Sequence, residues 1–204
     1  MYKKAVSLTR PLYNQLIRPH LPRKIAIFNG VAVHGQIKIF DMTEHFTDYE
    51  EPICRSLREY VLQNDDVVIV GGGLGVTSVI SARQAVPSGT VSVYEASTSQ
   101  VERIKETIDL NRVFDQINLN HSIIGFYSEN STKRYGETGT AERIEPNELP
   151  ECNILELDCE GAEEETLKNI SFAPRVIIVE THEFIGVHAS DIIYFKRKRL
   201  QNST

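Results

Sequence analysis

Cysteine is scarce in this chain. Only Cys54, Cys152 and Cys159 occur in 204 residues, and none lies in a CxxC pair. An odd, sparse count excludes a disulfide framework and gives no zinc-ligand spacing, so no metal site is expected. A reducing, cytoplasmic setting follows as the expectation. Long apolar runs are missing too. The longest, Val67 to Val76, is broken by glycines and is too short to span a bilayer. No uninterrupted apolar core follows the N-terminal charges, so no secretory signal is read there. Internal repeats and low-complexity tracts are absent. What remains is 41% hydrophobic and 25% charged, a composition that suits a soluble globular protein of one domain or two small ones.

The net charge of -6 is unevenly spread. Lys3, Lys4, Arg10, Arg18, Arg23 and Lys24 fall in the first 24 residues with no acid among them. Eleven acids and only Arg143 fall between residues 137 and 165, and a basic run occupies residues 196 to 199. Basic ends of this kind are ordinarily solvated termini. The overall acidity argues against a dedicated nucleic-acid binder.

Residues 1–47 read as an N-terminal extension. Its prolines, Pro11, Pro19 and Pro22, interrupt any long helix. Lys24 to Phe28, the turn Asn29-Gly30 and Val31 to Val33 predict a β-hairpin. Gln36 to Phe40 is expected to add a third strand. Residues 48–204 read as a second unit, opened by a helix over Asp48 to Leu62. Strands are then predicted at Val67 to Val70, Thr90 to Tyr94, Ile117 to Ile124, Ile154 to Asp158 and Val176 to Glu180. Helices are expected at Val76 to Gln84, from Ser97 or Thr98 to Asn111, and at Ala162 to Ile170. The polar stretch from Tyr127 to Pro150 reads as loop. Strand and helix in alternation imply a parallel sheet with right-handed crossovers, here five strands in the order 3-2-1-4-5. The last strand would be an open edge that invites pairing, including with a second copy of the chain.

Gly71, Gly72, Gly73 and Gly75 stand between the first of these parallel strands and its helix. Glycine there permits a tight turn and a close backbone approach to a ligand at the helix N-terminus. Glu95 ends the next strand, 20 residues after Gly75, where a carboxylate can accept hydrogen bonds from ribose hydroxyls. The dinucleotide fingerprint needs glycines at i, i+2 and i+5. Counting from Gly71 or from Gly73, the third position holds Val76 or Ser78. A nucleoside-containing cofactor fits the pattern better than a nicotinamide dinucleotide does.

Four segments together resemble the S-adenosylmethionine-dependent methyltransferases of the Rossmann-like type, and within them the FkbM family: VVIVGGGLG (67–75), VSVYEAS (91–97), ILELDCEGAE (154–163) and VIIVETH (176–182). The likeness covers roughly residues 50 to 185. It implies that Gly71, Gly73 and Gly75 line the methionine and ribose part of the cofactor. By the same resemblance Glu95 and the adjoining Ala96 hold the ribose, Ile124 and Gly125 sit near the adenine, and Asp158 lies at the reacting end. The implied reaction is O-methylation of a small molecule or a sugar. Two features depart from the family. Glu156 stands two positions before the Asp, where the family often has Lys. Only 24 residues follow Glu180, so after a helix over Ser190 to Leu200 the usual final pair of strands is expected to be missing.

Asp158 and Glu160 flank the carboxyl end of a parallel strand, the edge at which open α/β sheets bind ligands. Glu180 and His182 end the next strand on that edge, and His182 is a candidate base because histidine titrates near neutrality. Asp158, Glu160 and His182 are thus the candidate catalytic residues. Glu163, Glu164 and Glu165 read as solvated helix surface, and Cys159 as a packing residue. The expected activity is methyl transfer from S-adenosylmethionine to a hydroxyl of a small-molecule or glycan acceptor. The alternatives are a non-catalytic module on the same fold and a nicotinamide-dependent oxidoreductase.

Overall fold

Asn29 and Gly30 both take positive φ, 47° and 79°, as a two-residue hairpin turn requires. They join strand β1 (Arg23–Phe28) to the antiparallel β2 (Val31–Lys38). The structure, a computed structural model, describes residues 11–39, 41, 43–125, 137–159 and 161–180. Helical turns at Tyr13–Ile17 and Arg18–His20 precede the hairpin. The separate strand expected at 36–40 is not formed. Ile37 and Lys38 still pair with Lys24 and Arg23, so β2 simply runs on. The third strand comes later: β3 (His45–Phe46) pairs parallel with β1, in the order β2-β1-β3.

Helix α1 (Glu51–Tyr60) is shorter than the sequence predicts. Glu50 before it is left-handed, at φ 45°, and Val61 after it is extended. The main sheet then builds in alternation: β4 (Val67–Val70), α2 (Val76–Ala85), β5 (Val91–Glu95), α3 (Thr98–Asn111), β6 (Ile117–Ile124), β7 (Glu142–Ile144), β8 (Ile154–Leu157), α4 (Glu163–Asn169) and β9 (Val176–Val179). Every pairing is parallel, in the order β7-β6-β5-β4-β8-β9. This is a doubly wound, Rossmann-like α/β sheet in which β6, β5, β4, β8 and β9 keep the expected 3-2-1-4-5 order. Among the described residues it has six strands rather than five. β7 arises inside the stretch read as loop, because Glu142 to Ile144 pairs with Ser122 to Ile124.

The apolar residues of β4 and β8 are buried on both faces, which is why they read as continuous apolar runs. One face carries Val67, Ile69, Val93, Ile154 and Ile178 against Leu57 of α1, Val79 of α2 and Ile104 of α3. Ala26, Phe28, Val31 and Val33 of the hairpin join the same core. The other face carries Val68, Val70, Leu155, Leu157 and Val179, with Leu149, Leu167 and Phe172 over it. Burying such side chains contributes roughly 1.5–3 kcal/mol each.

Side chains tie the amino ends of the strands together. Asp66 Oδ1 accepts from Thr90 N–H (3.1 Å) and Thr90 Oγ1 (2.7 Å), Asn153 Oδ1 accepts from Asp66 N–H (2.8 Å), and Arg175 pairs with Asp65. The hairpin is clasped to α3 by Asn111, whose Oδ1 accepts from Ala32 N–H (3.2 Å) and whose Nδ2 donates to Ala32 O (2.7 Å). Among the described residues β9 pairs only with β8, and no helix is long and apolar enough to cross a membrane. The expectations for residues 181–204, the helix at Ser190 to Leu200 and the missing final strands, lie outside the described residues.

Candidate active site

The crevice opens at the carboxyl ends of β4, β5, β8 and β9, and backbone bonds extend the pairing one residue past three of them. Gly71 N–H donates to Tyr94 O, Asp158 N–H to Val70 O and Glu180 N–H to Leu157 O, each at 2.9 Å. These bonds bring Gly71, Asp158 and Glu180 to one edge. Gly71, at φ 93°, has no room for a side chain: a Cβ there would lie 1.9 Å from Asp158 O. Gly73, at φ 52°, is different. The nearest atoms to its Cβ position are Tyr49 Oη at 3.6 Å and Glu50 Oε1 at 3.9 Å, ordinary contact distances, so this glycine lies directly under the residues that precede α1. Gly75 turns toward α3, where a Cβ would sit 3.3 Å from Ile104 Cα. Of the three glycines predicted to line a cofactor, Gly73 alone has no backbone atom pressed against its Cβ position. Gly71 and Gly75 serve close approach of strand to strand and helix to helix.

Glu95 reaches across from β5 to the glycine turn. Its Oε2 accepts from Gly72 N–H (3.0 Å) and its Oε1 from Ser97 N–H (2.8 Å). The side chain is 7% exposed. Burial raises its pKa, while hydrogen bonds from the backbone of Ser97, Gly72, Gly73 and Ala96 pull the other way. Ala96 lies beside this carboxylate, and its carbonyl contacts His121 Nε2 at 3.2 Å.

Ile124 and Gly125 are not brought to the turn. Ile124 is buried in the core of the opposite face. Gly125 is engaged by β7: its N–H donates to Ile144 O (3.2 Å), and its carbonyl accepts from Arg143 Nη1 (2.9 Å). Glu160 and His182 lie outside the described residues. Glu163 is more than solvated surface. Its carboxylate accepts from Cys159 N–H (3.0 Å) and Gly161 N–H (2.8 Å) and so fixes the loop after β8. Burial and the nearby Glu163 hold the Cys159 thiol well above its usual pKa, which suits a packing role.

Three residues that the sequence did not assign to the site complete it: Tyr49, Glu50 and Glu156. Phe28 packs edge-on against Tyr49 with ring centroids 5.2 Å apart, and the Asn29 side chain donates to Tyr49 O. The hairpin therefore sets Tyr49 and Glu50 over the turn. Burial lifts Glu50 to about 7, opposed by a hydrogen bond from Tyr49 and helped by the charge of Glu180. Glu156 is 1% exposed. Burial, then the charge of Glu50, lifts it to about 8, against a hydrogen bond from Thr77. Its Oε2 has no hydrogen-bond partner. Asp158 is held well above the usual carboxylate range, first by burial and then by the charge and hydrogen bond of Glu180. The signal for Glu156 was in the sequence: an acid between Leu155 and Leu157, in a strand that must be buried on both faces. Tyr49 and Glu50 carry no such signal, because only the tertiary fold brings them here. Among the described residues, no group of three or more His, Cys, Asp or Glu is arranged to hold a metal ion.

No protein-family model matches the chain, and no curated protein matches it. Solved structures similar to it include Trm5b from Pyrococcus abyssi, with 13% identity over 73% of this chain and 36% of that one at a TM-score of 0.48. A tRNA methyltransferase of M. jannaschii matches at 15% identity over 78% of this chain and 43% of that one, TM-score 0.48. An O-methyltransferase from Bacillus cereus in complex with SAH matches at 14% identity over 88% and 74%, TM-score 0.45. The chain spans less than half the length of the first two. Likeness at this level assigns no substrate.

Proposed function

We propose that the chain is an S-adenosylmethionine-dependent methyltransferase, FkbM-like in its segments, that methylates a hydroxyl of a small-molecule or sugar acceptor. The cofactor-binding unit is assigned to residues 48–204, with 1–47 as an extension that supports it. One observation carries the reading: the Glu95 carboxylate, at the carboxyl end of β5, is held against the glycine turn that follows β4 by the N–H groups of Gly72 and Ser97. That is the position from which an acid receives ribose hydroxyls in this class of sheet.

The residues present fit the cofactor. No backbone crowds the Cβ position of Gly73, which has only the Tyr49 and Glu50 side chains at contact distance, and Glu156 keeps a buried acceptor without a partner. When bound, S-adenosylmethionine supplies an electrophilic methyl on a good leaving group, so the chain's own task is mainly positioning. Asp158 is assigned to hold cofactor or acceptor at the end of β8, with Glu160 beside it in sequence, and His182 to take the hydroxyl proton. The groups that act on Glu50, Glu156 and Asp158 are other carboxyls, Tyr49 and Thr77. An acid-lined crevice of this kind disfavours the pyrophosphate of a nicotinamide dinucleotide and the phosphates of a nucleic acid.

Calorimetric titration with S-adenosylmethionine, S-adenosylhomocysteine and NAD tests the reading. Binding of the first two and not the third is expected. Binding of NAD alone would make the protein an oxidoreductase. Tight binding of the sulfur ligands without methyl transfer to any hydroxylated acceptor would make it a non-catalytic module.

A further inference from the structure

Tyr49 and Glu50 are neighbours in sequence whose side-chain oxygens meet about one point. Tyr49 Oη lies 3.6 Å and Glu50 Oε1 3.9 Å from the position a Cβ would take on Gly73. Among the described residues, and the glycine's own chain neighbours aside, no other heavy atom comes within 4 Å of that point. Successive side chains of an extended chain leave on opposite sides, and those of a helix roughly 100° apart. Two in a row can converge only across a bend, and Glu50 supplies one at φ 45°. A residue with a side chain adopts that conformation only where its surroundings impose it, and such positions gather at functional sites. Here the surroundings are plain. The Asn29 amide and the Cys54 thiol (3.7 Å) donate to Tyr49 O, Cys54 N–H donates to Glu50 O (2.9 Å), and the Tyr49 ring stands edge-on to Phe28. The hairpin and the first turn of α1 thus hold two oxygens over the glycine turn.

The two oxygens make an acceptor pair. Tyr49 donates its hydroxyl proton to Glu50, which leaves lone pairs on Tyr49 Oη beside a carboxylate. The turn beneath commits three of its donors elsewhere: the N–H groups of Gly71, Gly72 and Gly75 go to Tyr94 O, Glu95 Oε2 and Gly72 O. A group seated over Gly73 is therefore one that donates and carries positive charge. A divalent metal ion is a poor occupant. Such ions take about six or more ligands, and no three His, Cys, Asp or Glu among the described residues are arranged to hold one. An ammonium, a compact cation with three N–H donors, suits the pair. Gly71, Gly73, Tyr49 and Glu50 are each partly exposed, so a ligand can reach them from solvent.

We propose that Tyr49 Oη and Glu50 Oε1 receive the α-ammonium at the methionine end of S-adenosylmethionine, so that the N-terminal hairpin, through Phe28 and Asn29, completes the cofactor site. The inference rests on the cofactor reading, in which the glycine turn carries the methionine end. The ammonium is common to the methyl donor and to S-adenosylhomocysteine, the product. The pair therefore contributes to binding of both alike and leaves the reacting methyl to other residues.

The test is calorimetry on the full chain with S-adenosylhomocysteine and two of its analogues. In one, hydrogen replaces the amino group; in the other, hydrogen replaces the carboxylate. The unaltered protein is expected to bind the deaminated analogue about ten- to a hundredfold more weakly than S-adenosylhomocysteine. Glu50→Gln should weaken S-adenosylhomocysteine and the decarboxylated analogue by about tenfold and leave the deaminated one within about twofold. Tyr49→Phe keeps the ring against Phe28 and should act on the same two ligands, by about three- to tenfold. A general loosening of the site would instead weaken all three ligands alike. That result in both variants, or equal affinity of the unaltered protein for S-adenosylhomocysteine and the deaminated analogue, would overturn the inference and leave the cofactor reading intact. The comparison in the unaltered protein needs no substitution, so it decides the matter should a variant fail to fold. Failure of both S-adenosylmethionine and S-adenosylhomocysteine to bind would overturn the cofactor reading and this inference with it.

Discussion

The backbone carbonyl of Asp158 occupies the space in which a side chain on Gly71 would begin, 1.9 Å from the Cβ position. Gly71 also sits at φ 93°, outside the range that L side chains adopt readily. Gly71→Ala therefore forces two strand ends apart. It is expected to cost about 3–5 kcal/mol, at the severe end for one substitution. Gly73→Ala meets only ordinary contacts, with Tyr49 Oη and Glu50 Oε1, but at φ 52°. It should cost about 1–2 kcal/mol and act mainly on cofactor affinity. Urea denaturation of the two variants separates these outcomes.

Glu95 has two duties, and its variants should reveal both. A strand-end carboxylate at a crevice reads from sequence as dispensable for folding. Here it is buried and accepts from Gly72 and Ser97 N–H groups. Glu95→Ala leaves those donors without their acceptors, at about 1–3 kcal/mol each. Stability should fall together with S-adenosylmethionine affinity, the latter by about ten- to a hundredfold. Thermal melts paired with calorimetry would detect a fall in affinity with no loss of stability, which would remove the structural duty.

Stability should also depend on pH. Glu50 and Glu156 titrate near 7 and 8 in the folded chain but near 4.3 when unfolded. Between those values the folded state holds more protons than the unfolded one. Stability is therefore fullest below about pH 4.3 as far as these two groups are concerned. It declines as pH rises toward 7 and 8, by up to about 1.4 kcal/mol per group per pH unit. The melting temperature without ligand should fall between about pH 5 and pH 8. Glu156→Gln should flatten that fall and stabilise the protein at the alkaline end. A melting temperature that rises across this window would contradict the burial of these acids.

Asn111 joins α3 to the hairpin through both polar atoms of its amide, and Arg83 Nη2 donates to the same Oδ1 at 2.8 Å. Asn111→Ala should cost about 1–3 kcal/mol, since the backbone polar groups of Ala32 lose their partner. Hydrogen exchange should quicken first at Ala32 and then along β2. Uniform acceleration across the chain would mean that the hairpin does not open separately.

The chemical assignment is tested by His182→Ala and Asp158→Asn. General base catalysis contributes about 10² to 10⁴ in rate, so His182→Ala should lower turnover by that order at nearly constant cofactor affinity. Full turnover would return His182 to an ordinary surface role. Asp158→Asn should change cofactor or acceptor binding along with rate.

The inner strands were legible because burial on both faces leaves a plain trace. Val67 to Val70 and Ile154 to Leu157 have few polar residues, and the glycines after Val70 fit only a tight strand-to-helix turn. β7 was not legible. Glu142, Arg143 and Ile144 have no alternation or apolar run, and they form a strand because β6 offers them an edge. At the site, Glu95 could be located by counting from the glycines, since a βα unit fixes that spacing. Tyr49 and Glu50 could not, because a ring contact from Phe28 and a bond from Asn29 deliver them, and both come from a different sheet. Glu156 was visible as a departure from a family pattern, but its meaning depended on learning that nothing pairs with its second oxygen.

The side-chain ties at the amino ends of the strands have a consequence for how such a protein can diversify. Asp66, Asn153 and Arg175 align β4, β5, β8 and β9 from below, on the side away from the crevice. Loops at the upper edge can then gain, lose or exchange residues without shifting the alignment beneath them. New acceptor preferences can be tried at little risk to the scaffold, and changes at the lower edge would be purged wherever stability is under selection.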